Sequence, residues 1–310
     1  EVRYGLSLTD ICLGRDADID DSDLKQVAER LKNHEPVQYV LGKTQFCGHT
    51  FHTDRRALIP RPETGELCQW MLSTPFSSLL DIGTGSGCIA ITMALAQPKA
   101  QITAWDISPD ALSLASENAQ NLNAHVDFIL RDALQNHEDD NQRYDIIVSN
   151  PPYICQNEAE AMEKNVLDYE PNTALFVPDS DPLRFYCAIA RYALTALLPQ
   201  GYLYFEINPL YADDLCTMLH NAGFSEVTPR SDEQEAYLRL AALCAQAEHC
   251  EYEMQEKMRR WEIADDAQAR VMQRLITERY VDDERFARAF ANDKVKYNKW
   301  GRRKVEQAMW

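Results

Sequence analysis

Two periods of apolar residues run along this chain, and each predicts a different kind of element. Short runs rich in β-branched and aromatic residues, SLLDIG from Ser78, QITAWDIS from Gln101, HVDFILRDA from His125, YDIIVSN from Tyr144 and GYLYFEIN from Gly201, read as five strands, the first of them buried. Between and after them CIAITMALA, PDALSLASENAQNL, PLRFYCAIARYALTALL and PLYADDLCTMLHNAG read as helices, the second opening at Pro109 and the last closed by Gly223. Strands alternating with helices predict a parallel sheet covered on both faces. Upstream, DSDLKQVAERLK reads as a helix capped by Asp21 or Ser22, with Leu24, Val27, Ala28 and Leu31 on one face. TQFCGHTFHTDRRALIPRPET fits a β-hairpin, and PETGELCQWML a helix with Pro62 and Glu63 near its start. Beyond FSEVTPR only helical periodicity remains, in DEQEAYLRLAALCAQAEHCEYEMQEKMRRWEI, DDAQARVMQRLITERY and DDERFARAFANDKVKYNKW. The expected organisation is an N-terminal helical region with a hairpin over residues 1–72, an α/β Rossmann-like domain over 73–230, and an all-α module over 231–310.

Composition narrows the class. A chain of 310 residues suits about two domains. No apolar run approaches the ~18 residues of a membrane span, and the first residues lack a signal-peptide pattern. Nine cysteines without paired or metal-type spacing read as reduced thiols of a cytoplasmic protein. The histidines also lack ligand spacing, His49 and His52 being the nearest pair, so no metal is expected. Residues 1–230 carry 16 Lys and Arg against 33 Asp and Glu, net −17, whereas residues 231–310 carry 15 against 16, net −1. The first part should repel nucleic acid. The second gathers Lys294, Lys296, Lys299, Arg302, Arg303 and Lys304 around Tyr297 and Trp300, which suits either an acidic partner or a solvated basic helix face.

The chemistry-bearing residues fall at successive strand ends. LLDIGTGSGCIAI places Gly83, Thr84, Gly85, Ser86 and Gly87 between the first strand and its helix, where glycine lets a ligand approach the backbone. A dinucleotide fingerprint needs glycine at position 88, which is Cys88, so the loop suits S-adenosylmethionine better than a pyrophosphate. Asp106 ends the second strand, where an acidic side chain binds ribose hydroxyls; by itself it reads equally as a helix cap. Asp132 and Ala133 end the third strand, in place to flank an adenine.

At the end of the fourth strand stands SNPPYI. Two prolines stop a sheet ladder and stiffen the backbone. A planar NH2 nitrogen has a delocalised lone pair, and two acceptors that take its protons aim it in line at a methyl donor. Asn150 supplies an amide oxygen, Pro151 a carbonyl held by its ring, and Tyr153 a ring to stack on the planar group. The same geometry serves glutamine amides and the amino groups of adenine or cytosine, so a nucleic-acid amino-methyltransferase is the alternative. The net charge of −17 weighs against it.

The segments LIPRPET, LDIGTGSGCIAI, SNPPYI, NVLDYEPNTALF and FEIN resemble the release-factor glutamine N5-methyltransferases over nearly all of residues 1–230. That resemblance implies a class I S-adenosylmethionine-dependent methyltransferase whose product is S-adenosylhomocysteine. It implies methylation of the glutamine in the Gly-Gly-Gln loop of peptide chain release factors, which a helical N-terminal domain contacts. It further implies that Gly83, Thr84, Gly85, Ser86, Gly87, Asp106, Ala133 and Asn150 bind the cofactor, and that Asn150, Pro151, Pro152 and Tyr153 bind the glutamine amide. Downstream, ALCAQAEHCEYEMQEKM and ITERYVDDERFARAFANDKVKYNKWGRRKV resemble RecX, a regulator of the RecA recombinase built from three-helix repeats. This implies binding along the RecA–DNA filament without catalysis. Read as structure alone, Asp282 and Asp283 are helix caps and Phe286 and Phe290 an i,i+4 core pair. Measured against these families, the strand after FSEV is missing, the N-terminal domain is short, and the link STPFSS and the join Arg230–Ser231 read as places where residues have been left out, with a chain break expected at the latter.

Overall fold

The five expected strands pair in a single sheet in this computed structural model, which describes residues 21–135, 137, 140–228, 236, 237, 240, 241, 243, 244, 249–261 and 263–288. Helices α1 (Asp21–Lys32) and α2 (Val37–Leu41) precede a hairpin of β1 (Lys43–Phe46) and β2 (His49–His52). Then come α3 (Pro62–Leu72), β3 (Ser78–Ile82), α4 (Cys88–Ala96), β4 (Gln101–Asp106), α5 (Pro109–Leu122), β5 (Asp127–Leu130) and β6 (Tyr144–Ser149). A short pair, β7 (Ile154–Cys155) with β8 (Phe176–Val177), encloses α6 (Lys164–Leu167) and α7 (Asn172–Leu175). Helix α8 (Arg184–Ala196), β9 (Leu197–Phe205) and α9 (Ala212–Ala222) follow. The main sheet runs β5-β4-β3-β6-β9, and every neighbouring pair is parallel. This is the class I methyltransferase, Rossmann-like arrangement anticipated above.

Alternation along β3 decides which helices cover it. Leu79 joins Ile102, Ala104, Ile146 and Val148 in a core with Leu67, Cys68 and Met71 of α3 and Ile91 and Met93 of α4. Leu80 and Ile82 join Trp105, Ile147 and, from α8, Ile189 and Ala193. Leu79, Leu80, Ile146 and Ile147 have no exposed surface, and each such side chain contributes about 1.5–3 kcal/mol by leaving water. Helix α4 is buried from Cys88 to Ala94, which explains an apolar sequence with no polar face.

The hairpin, which the sequence grouped with the N-terminal helices, also packs into this core. Phe46 and Phe51 pack edge to face at 5.9 Å within the α3–α4 cluster, and Asn118 of α5 bonds both the N–H and the C=O of His52 at 2.7 and 3.2 Å. On α1, by contrast, Leu24 and Leu31 are 48 % and 42 % exposed, so the described residues leave its expected apolar face open. The link from α3 to β3 is short but closed: Asp145 Oδ2 accepts from Ser77 N, Ser78 N and Ser78 Oγ at 2.8–3.0 Å.

The chain forms two compact units, residues 1–227 and 228–310. The second has its own core of Tyr237, Leu240, Met254, Met258, Val271 and Leu275, built around α10 (Glu251–Arg260) and α11 (Asp265–Thr277). The long helix expected from Asp232 to Ile263 is interrupted: Cys250 is extended, and the N–H of Glu251 is capped by Asp283 Oδ1 at 2.8 Å. Asp282 caps its own helix through Arg285 N at 2.9 Å. Both aspartates are caps, but of different helices. Phe290, the basic cluster Lys294–Lys304 and the join Arg230–Ser231 lie outside the described residues.

Candidate active site

Strand β3 comes first in the sheet's sequence yet lies at its centre, so the chain leaves it toward β4 and β5 on one side and β6 and β9 on the other. Open α/β sheets bind ligands outside the carboxyl ends of the strands at such a reversal. Ile82 pairs with Ser149 at the end of the β3–β6 ladder, and Ser149 Oγ donates to Ile82 O at 2.6 Å. Gly83 and Asn150 are therefore the next residues out on adjacent strands.

The glycine loop is tied inward. Gly83 N and Thr84 N donate to Trp105 O at 2.8 and 2.9 Å, Gly85 N to Asp106 Oδ2 at 2.8 Å, and Gly87 N to Thr84 O at 2.9 Å. These four N–H groups hold the loop itself. Two glycines are required for different reasons. At Gly87, φ is +81° and a Cβ would meet Ile91 Cδ1 at 2.8 Å and Ala115 Cβ at 3.1 Å, so the residue lets α4 and α5 close together. At Gly83, φ is +76° and a Cβ would meet nothing within 4 Å, so the loop borders open space.

Asp106 anchors the loop through Gly85 N at 2.8 Å and holds the turn into α5 through Ser108 N at 2.9 Å, Ser108 itself being the cap of that helix. Burial raises its pKa, against which the Ser108 and Gly85 N–H groups act. With two N–H bonds on its two oxygens it retains lone pairs for further donors. Asp81, which sequence reasoning did not single out, is fully buried at the end of β3. Its Oδ2 accepts from Thr84 Oγ1 at 2.6 Å and Ala90 N at 3.3 Å, while Oδ1 has no partner among the described residues. Burial pushes its carboxyl up to about 7. The signal was available, since an acidic residue inside LLDIG is a buried charge that needs a reason. Ser86 is also buried, its side chain beside the Cys88 thiol.

Past β5, Asp132 Oδ1 accepts from Leu134 N at 2.9 Å, and Asp132 O pairs with His137 Nε2 at 2.7 Å. Ala133 packs beside the α8 face of the core. Asp132 thus shapes the turn at the third strand end.

On the other side of the crevice Asn150 Nδ2 donates to Thr64 Oγ1 at 3.3 Å, and Thr64 Oγ1 donates to Glu206 Oε2 at 2.6 Å. Tyr153 OH donates to the other Glu206 oxygen at 3.2 Å. Burial raises the pKa of Glu206, opposed by the Thr64 and Tyr153 donors; burial and the Glu206 charge raise that of Tyr153. Pro151 is buried and Pro152 half-buried. Thr64 and Glu206 stood in quoted motifs, RPET and FEIN, but periodicity assigned them no role.

Two segments distant in sequence meet here. Glu170, 5 % exposed, accepts from Arg61 Nη2 at 2.6 Å and from Ile59 N at 3.1 Å, so YEPNTALF clamps IPRPET, and with it the start of α3 that carries Thr64. Among the described residues no group of three or more His, Cys, Asp or Glu side chains is arranged to hold a metal, and no helix is long and apolar enough to cross a membrane.

The residues fit S-adenosylmethionine. The open space at Gly83, the spare lone pairs of Asp106 and the unpartnered Asp81 Oδ1 suit a ligand with hydroxyl and ammonium donors and little need of backbone N–H groups. The chain is similar to known proteins of two kinds. Residues 64–168 match the family model for the methyltransferase small domain, and residues 282–310 that for the second three-helix domain of RecX. The release factor glutamine methyltransferase of Bacteroides thetaiotaomicron is 44 % identical over 228 residues, 72 % of this chain and 82 % of that protein. Its counterpart from Flavobacterium psychrophilum is 43 % identical over 242 residues, 75 % and 85 % of the two chains. Among solved structures, a methyltransferase from Pyrococcus furiosus overlaps 56 % of this chain and 78 % of its own, at a TM-score of 0.41 and 16 % identity. With identity of this extent to relatives that it spans almost end to end, the chain belongs to the release factor glutamine methyltransferase family.

Proposed function

We propose that the protein methylates N5 of the glutamine in the Gly-Gly-Gln loop of peptide chain release factors, using S-adenosylmethionine and leaving S-adenosylhomocysteine. The observation that carries the chemistry is the orientation of Asn150, and membership of the family selects glutamine among the planar amines it could aim. Its Nδ2 is committed to Thr64, so Oδ1 is the atom left to accept a substrate N–H. The Pro151 carbonyl, on a backbone of fixed φ, is the second acceptor. A carboxamide nitrogen shares its lone pair with its carbonyl, so it gains more from being aimed than from a general base. Tyr153, tethered through its hydroxyl, offers its ring to the planar amide. When bound, the cofactor supplies an electrophilic methyl group. Gly83, Thr84, Gly85, Ser86 and Gly87, with Asp106, Asp132, Ala133 and Asn150, are the residues that hold it. Residues 1–72, partly through α1 and its open apolar face, are the part proposed to meet the release factor.

The test is Asn150→Ala. Turnover should fall about a hundredfold, the scale expected from losing alignment at the reacting atom, far more than cofactor affinity measured by calorimetry weakens. Unchanged turnover would remove the role given to Asn150.

The match of residues 282–310 to RecX supports a second proposed role, binding of the C-terminal unit to the RecA–DNA filament. Both partners place the protein in the cytoplasm. Added to RecA on single-stranded DNA, the protein should slow ATP hydrolysis; an unchanged rate would refute the role.

A further inference from the structure

We propose that Glu206 and Thr64 are positioning residues for methyl transfer: one buried carboxylate fixes Asn150 and Tyr153 together and sets which atom of Asn150 meets the substrate. This rests on the glutamine-methylation reading above.

The argument is one of proton counting. Glu206 leaves the end of β9 beside Asn150, its N–H bonded to Ser149 O at 3.1 Å. Its main-chain carbonyl takes the hydroxyl of Tyr186 at 3.1 Å, which fixes the backbone from which the carboxylate projects. The Thr64 hydroxyl has a single proton, and at 2.6 Å that proton goes to Glu206 Oε2. Toward Asn150, Thr64 Oγ1 can then only accept, and its partner must be Nδ2, at 3.3 Å. Asn150 Oδ1 is thereby turned away from Thr64, free to accept. If Thr64 donated to Asn150 instead, the amide would flip, lose its contact with the Glu206 carboxylate and present two N–H groups to a substrate that also offers N–H groups. The carboxylate thus dictates the polarity of the amide, through Thr64 and through its own contact with the Asn150 side chain.

The other oxygen does the same for the ring. Tyr153 OH reaches Glu206 Oε1 at 3.2 Å, so the two side chains that contact the planar group hang from one carboxylate. Burying a carboxylate here carries a desolvation penalty that an apolar residue of similar volume would avoid. Glutamine at 206 would offer one acceptor to two hydroxyl donors and would force one of them to reverse.

Four chains decide the matter: wild type, Thr64→Val, Thr64→Ser and Glu206→Gln, assayed on a release factor at saturating S-adenosylmethionine, with melting temperatures and cofactor affinity measured alongside. Thr64→Val keeps shape and removes the hydroxyl. It should lower kcat about tenfold to a hundredfold, the loss typical of small misalignments at a reacting centre, with the release-factor KM and the cofactor Kd little changed. Thr64→Ser should recover most of that loss, and Glu206→Gln, which forces one of the two hydroxyls to reverse, should also lower kcat. Should Glu206→Gln fail to fold, the Thr64 pair decides. A wild-type kcat in Thr64→Val, or equal losses in the Ser and Val variants, overturns the proposal. Absence of methylation by the wild type overturns the parent reading, and this one with it.

Discussion

Asp81 has no exposed surface, one oxygen bonded to Thr84 and Ala90, and the other without a partner among the described residues. Its carboxyl is pushed up to about 7, against about 3.9 in an unfolded chain. The folded state therefore holds a proton that the unfolded state releases. Between those two values the contribution of Asp81 to stability falls as pH rises, and above the upper one the loss is complete. Asp81→Asn keeps the shape and removes the charge. In thermal denaturation its melting temperature relative to wild type should rise from pH 5 to pH 8, and its affinity for S-adenosylmethionine should weaken. A difference that does not change with pH would contradict the assignment. Single residues were unevenly legible. Asn150 announced itself because two prolines end an apolar strand there. Glu206 and Thr64 did not, because their roles depend on which proton faces which oxygen, and that follows only when α3 and the end of β9 meet in space.

At the scale of elements, the glycine loop separates packing from binding. Gly87→Ala inserts a methyl group between α4 and α5 at a positive φ, with Ile91 at 2.8 Å. It should destabilise the protein by more than the about 1–2 kcal/mol of a left-handed alanine. Gly83→Ala meets no neighbour; it should lose only that conformational term while weakening cofactor binding. Chemical denaturation with parallel cofactor titration separates the two, and equal stability losses would contradict the distinction. Elements of this kind were the most readable part of the sequence: CIAITMALA is helix α4, opened after Gly87, and PDALSLASENAQNL is α5, opened by Pro109 and closed by Asn123 in the left-handed conformation. Where local signals were uniform the reading failed. Nothing in CAQAEHCEYEMQ marks a stop, and the break before Glu251 comes from a cap supplied by Asp283, distant in sequence.

For the molecule as a whole, the alternation of strands and helices sufficed for a parallel sheet with a crevice at its reversal, and the charge asymmetry separated the two ends of the chain. What the sequence grouped differently was the hairpin. Phe46 and Phe51 look local to the N-terminal region until α3 and α4 are folded against them. The family-specific segments IPRPET and YEPNTALF likewise acquire a physical meaning only once Glu170 joins them. All of this positions one reaction, and the full chain tests it directly. The protein is incubated with methyl-labelled S-adenosylmethionine and, side by side, a release factor, the same factor with its Gly-Gly-Gln glutamine changed to alanine, and duplex DNA. Label should enter the unaltered factor alone. Label on DNA, or equal label on the glutamine-to-alanine factor, would contradict the account.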